Sequence, residues 1–172
     1  MAIRSDLRAY INIGSLVLVL IINFLSNAIP FNGLTQADLG ELYPVLVTPA
    51  TYVFSIWGLI YIALIAFAIY QALPRYRENP LVKAVGILFS VSCLFNILWL
   101  FFWHYQRIGW SMLVMILLLI TLAFIYLRLG AVTAEKGFYD RLLVKWPFSL
   151  YVGWITAATI VNFNALLYDI GW

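Results

Sequence analysis

Charge is what this chain has least of. Only 10% of its 172 residues are Asp, Glu, Lys or Arg, against roughly 25% in an ordinary soluble domain. The shortage is patterned: no such residue occupies the middle of any long apolar run. Ion-coupled pumps and proton relays place ionisable groups at depth, so the pattern argues against an antiporter. Histidine and cysteine occur once each, as His104 and Cys93. A lone Cys excludes an internal disulfide, and Cys93 reads as a small buried hydrophobe. A metal centre needs several His, Cys or carboxylate ligands converging, so none is expected. No serine sits in a recognisable nucleophile motif, and no Gly-rich loop is shaped to cradle phosphate.

What the chain has is apolar length. Five long runs, at about residues 9–26, 50–73, 83–104, 109–127 and 146–168, fill most of it. About 20 such residues span the hydrocarbon core of a bilayer. Lipid cannot hydrogen-bond a backbone, so each run must be helical or part of a closed barrel. Barrel strands alternate apolar and polar residues, and these runs do not. The expected fold is therefore all-α: one integral membrane domain, a bundle of five transmembrane helices. Arg4 and Arg8 precede the first run as in a signal peptide, but it lacks a clean cleavage site and reads as a retained signal anchor.

Orientation follows from Lys and Arg. The N-terminus, second loop and fourth loop carry Arg4, Arg8, Arg75, Arg77, Lys83, Arg128, Lys136, Arg141 and Lys145, and the opposite side carries only Arg107. The N-terminus is expected in the cytoplasm and the C-terminus on the other side. The net charge of +3 thus belongs to orienting loops and is no nucleic-acid signal.

The loops are unequal. The one around Arg107 is so short that the third and fourth runs must form a hairpin. The first loop, residues 27–49, is long and punctuated by proline, with a short helix expected near Thr35–Leu42. Such loops serve as lids or as plain connectors; the lid reading involves Tyr43, Pro44 and Pro49. Small residues four apart, Gly86/Ser90 and Gly153/Ala157, mark close helix contacts, either internal or across a homodimer.

Aromatics and amides remain. The seven Trp are not all interfacial anchors, because Trp57, Trp99 and Trp154 lie inside runs. Tyr61 is one turn from Trp57, Asn96 is three residues before Trp99, and Asn162 is eight after Trp154, a spacing that reads as roughly one face. An amide in lipid needs a partner, so Asn96 and Asn162 should face the interior. They either bond helix to helix or, with the aromatics, form a small-molecule pocket.

These residues also resemble the TspO/MBR family, the tryptophan-rich sensory proteins related to the translocator protein. The motif carriers are Thr48-Pro49-Ala50-Thr51-Tyr52-Val53-Phe54-Ser55-Ile56-Trp57 with Tyr61, then Asn96-Ile97-Leu98-Trp99 with Phe101-Phe102, then Tyr151-Val152-Gly153-Trp154 with Asn162. The likeness covers roughly residues 44–168. Against it, the end of the first loop lacks the family's Trp-Tyr pair and Lys, and the fourth run lacks an early acidic residue, so the chain looks like a divergent branch. The resemblance implies five transmembrane helices and a long first loop. It also implies a ligand site drawn from Tyr52, Phe54, Trp57, Tyr61, Asn96, Trp99, Trp154 and Asn162.

Three functions stay open. The leading one is a membrane binding, sensing or transport protein for flat hydrophobic ligands, which the resemblance implies are porphyrins and other tetrapyrroles. A bound tetrapyrrole or lipid would be ligand rather than required cofactor. The second is photo-oxidative breakdown of a bound porphyrin, with Trp and Tyr as electron donors. The third is a structural subunit of a larger membrane complex.

Overall fold

The computed structural model describes residues 5–43, 50–133 and 137–172. Among these, every regular element is helical. Seven helices can be numbered: α1 Ser5–Ala28, α2 Gln36–Leu42, α3 Ile56–Ala72, α4 Pro80–Val85, α5 Leu88–His104, α6 Ile108–Ala131 and α7 Phe138–Asp169. Helices α1, α6 and α7, and α3 together with its preceding 3₁₀ turn, are long and apolar enough to cross a membrane; α5 is apolar but has 17 residues.

Two boundaries depart from expectation. The third run was expected to be continuous over 83–104. It breaks at Gly86, whose φ of 59° and ψ of −142° form a backbone state that residues with a Cβ seldom adopt. Asn79 caps α4 through its side chain, and Pro80 opens it. The last run was expected to start near residue 146. Its helix begins eight residues earlier and passes through a π turn, Arg141–Lys145. The short helix of the first loop forms as expected: Thr35 and Asp38 make a reciprocal capping box at the start of α2. That hydrogen bonding holds the Asp38 carboxyl below its ordinary pKa.

The long helices pack in a closed order, α1 on α5, α5 on α6, α6 on α7, α7 on α3 and α3 on α1. Helix α6 shows why. Its buried positions Ser111, Met115, Leu118, Leu122, Ile125 and Leu129 recur at steps of four and three, one face of a helix. Phe67, Phe89 and Phe148, from α3, α5 and α7, meet edge to face at 5.0–5.7 Å between centroids. Outside the bundle, Leu18, Ile21, Phe24, Ile62, Ile69 and Leu127 are exposed. Apolar side chains on the outer surface suit a lipid solvent and would be a liability in water.

The two ends differ. At one, Arg77 pairs with Asp6, Arg8 donates to the Arg77 carbonyl, and Tyr70 and Asn79 donate to Asp140. Most of the basic residues gather here. At the other end, Asn32 reaches the His104 carbonyl and Tyr43 packs on Trp103. There the basic side chain is Arg107, at the α5–α6 turn.

Candidate functional site

The 3₁₀ turn Thr51–Ser55 leads into α3 and sets Phe54 and Trp57 facing α7. Trp57 is the hub. Its ring stacks on Tyr61 at 5.4 Å and Trp99 at 6.4 Å, and meets Tyr151 and Trp154 edge to face at 6.1 Å each. Phe54 closes on Trp154 at 6.2 Å. These separations and angles are those aromatic pairs favour. The three span-interior tryptophans therefore meet through Trp57, forming one aromatic wall.

One open space lies beside that wall. A groove of about 340 Å³ runs between α1 and α3, lined by Leu20, Asn23, Phe24 and Asn27 on one side and Phe54, Trp57, Gly58 and Tyr61 on the other. Asn23 donates to Asn96 Oδ1 at 3.1 Å, and Asn96 donates to the Tyr151 hydroxyl at 3.3 Å. A chain of polar groups thus ties the groove's edge to the back of the wall. Three polar atoms of the wall, Tyr61 Oη, Trp99 Nε1 and Trp154 Nε1, are buried without a hydrogen-bond partner. Each is a donor that burial penalises until an acceptor arrives.

The wall continues toward the first loop. Trp99 stacks on Trp103 at 6.3 Å, Trp103 meets Tyr43 at 5.6 Å, and Tyr43 meets Tyr168 at 6.2 Å. Burial, then the nearby Asp169 carboxylate, raises the Tyr43 phenol pKa. Tyr43 is thus a packed residue that joins the loop to the bundle; Pro44 and Pro49 lie outside the described residues.

Of the residues singled out from sequence, Phe54, Trp57, Tyr61, Asn96, Trp99 and Trp154 come together. Tyr52 does not: it is 79% exposed. Asn162 is buried elsewhere, donating to Ser111 Oγ at 2.9 Å across the α6–α7 seam. Eight residues from Trp154 is a rotation of about 80° on a helix, so the two were never on one face. The Gly86/Ser90 pair serves inside the chain. Asn12 donates to the Gly86 carbonyl at 3.1 Å and to Gln71 Oε1 at 2.9 Å, and Ser90 donates to Asn12 Oδ1 at 2.7 Å. Gly153 and Ala157 are exposed on α7.

Sequence reasoning missed Asn12, Asn23 and Asn27. Their signal was present, because Asn12 and Asn23 are eleven residues apart in an apolar run, about three full turns. Two amides on one face of a lipid-embedded helix demand partners.

Apolar outer faces and long apolar helices define a helical membrane protein. The chain matches the model of the TSPO-like protein family over residues 9–172, and it belongs to that family. No curated protein and no solved structure matches it.

Proposed function

We propose that the chain binds a flat, hydrophobic ligand of the tetrapyrrole class in the groove between α1 and α3, and senses or carries it. The groove itself carries this reading. Its volume of about 340 Å³ is within the range of small-molecule sites. Trp57 and Tyr61 offer ring faces for stacking, and Asn23 and Asn27 supply a polar edge. The unpaired hydroxyl of Tyr61, which lines the groove, suits a ligand bearing acceptor oxygens. The lining includes Phe24, which is 70% exposed, and in this proposal a lipid-dissolved ligand enters sideways past it.

In the same proposal five helices cross the bilayer. A helix rises about 1.5 Å per residue, so the 17 residues of α5 fall short of a core roughly 30 Å thick. Helix α4, beyond the Gly86 break, completes that crossing. The basic end is cytoplasmic by the positive-inside rule, and the first loop covers the opposite end.

Titration of purified protein with protoporphyrin, read by tryptophan quenching, tests the site. Trp57→Leu should weaken binding about fivefold, the aromatic contribution beyond area being of order 1 kcal/mol. Trp172→Leu, at an 88% exposed position, should not. Equal affinity in wild type and Trp57→Leu, with both folded, would reject the groove. The continuous ring contacts from Trp57 through Trp99 to Trp103 also favour photo-oxidative breakdown as a second reading. Illuminating the complex in air distinguishes it: porphyrin absorbance should then decay faster in wild type than in Trp57→Leu.

A further inference from the structure

A second cavity, of about 440 Å³, lies at the basic end between the loop after α3 and the start of α7. It shares none of the groove's lining. Four rings line it, Tyr70, Tyr76, Phe138 and Tyr139. Tyr70 and Tyr76 stack at 4.1 Å, while Phe138 and Tyr139 are 71% and 65% exposed. Its floor is fixed by Asp140, which is 3% exposed and accepts from the Tyr70 hydroxyl at 2.6 Å and Asn79 Nδ2 at 2.7 Å. Arg75 already sits over the Tyr76 ring, its guanidinium carbon 5.5 Å from the centroid. Glu78, paired with Lys83, completes the charged lining.

We infer that this cavity binds the headgroup of a zwitterionic amine phospholipid. Ring faces attract an ammonium, and the carboxylates of Asp140 and Glu78 reinforce the attraction. Arg75 is placed for the phosphate, which guanidinium binds in a planar, bidentate way. A purely anionic headgroup would meet two carboxylates, and a bare cation would meet Arg75. A group carrying both signs satisfies the lining. The setting is interfacial: exposed Phe138, Tyr139 and Trp146 have the character of a membrane aromatic belt. Exposed Ile69, Leu73 and Leu142, beside the cavity in the chain, offer surface to acyl chains.

Native mass spectrometry of the full chain in dodecyl maltoside, titrated with dioctanoyl phosphatidylethanolamine, tests this. One lipid should bind per chain. Dioctanoyl phosphatidylglycerol should bind about tenfold more weakly, since like-charge juxtaposition is costly. Phe138→Ala and Tyr139→Ala should each weaken the amine lipid about threefold to thirtyfold, and Arg75→Gln should weaken it too. All three positions are exposed, so melting temperatures should hold. Trp146→Ala, an exposed aromatic outside the lining, should bind as wild type. Free phosphoethanolamine run in parallel identifies the source: affinity equal to the lipid's would keep the chemistry and make the ligand a soluble amine phosphate. Equal binding of the two lipids would overturn the proposal, as would full affinity in both aromatic variants.

Discussion

Two polar features inside the bundle look alike in composition and differ in satisfaction. Around Asn12, the side chains of Gln71 and Ser90 and the Gly86 carbonyl each find a partner, joining α1 to α3 and to the α4–α5 break. Around Trp57, three buried donors find none, and one of these residues, Tyr61, lines a groove. Satisfied amides in lipid act as glue between helices. Unsatisfied donors beside open space mark where something else supplies the acceptor. Gln71 Nε2 is the exception within the first group, and no open space adjoins it in either cavity described.

Substitutions can break this contrast. The largest effect is expected at Asn12→Leu, which strands two side chains and a carbonyl. Stability in detergent should fall by roughly 2 kcal/mol, read by thermal or denaturant unfolding, with porphyrin affinity retained in the folded fraction. Gly86→Ala should follow, at about 1–2 kcal/mol. A Cβ there would stand 3.3 Å from the Lys83 carbonyl oxygen, on a backbone with φ +59°. The same unfolding assay reads it.

Trp154→Leu sharpens the other side. Trp154 supports Trp57 from behind and is not in the groove's lining. Porphyrin affinity should fall about threefold in a quenching titration, less than for Trp57→Leu. A drop as large as that of Trp57→Leu would mean the ligand enters the wall.

The smallest effect is local and pH-dependent. Asp38 has its pKa lowered by its bonds to Thr35. A depressed folded pKa contributes stability above the unfolded value, lost as pH falls through the folded one. The protection of α2 amides, taken relative to their intrinsic exchange at each pH, should therefore hold while unperturbed carboxylates near pH 4 titrate, then fall below that. The Asn12 network, which has no titratable group, should not respond over the same range.

Much of the fold was legible because lipid restricts the choices. Long uncharged runs had to be helices, and Asp38 and Glu41 near the start of Thr35–Leu42 marked the short helix α2. The break at Gly86 was not legible, since one glycine in an apolar run is commonly tolerated within a helix. Nor was the early start of α7, where Asp140, Arg141 and Lys145 look like loop residues until Asp140 is seen bonded to Tyr70 and Asn79. The site was half legible. Periodicity tells which residues share a face, so Trp57 and Tyr61 were paired correctly. It does not tell which faces meet, and the groove's other side, Asn23 and Asn27 on α1, was overlooked for that reason.

The π turn at Arg141–Lys145 acts as a phase corrector. Asp140, Val144 and Phe148 are all buried, yet steps of four residues on a regular α-helix drift by about 40° each. A π turn winds more slowly and cancels drift of that sense, keeping the three in line. The length of this segment is therefore a timing element. Deleting one residue between 141 and 145 would let an ordinary helix form and swing Asp140 by about a quarter turn. The basic-end cluster of Tyr70, Asn79 and Asp140 would come apart with every one of its side chains still present.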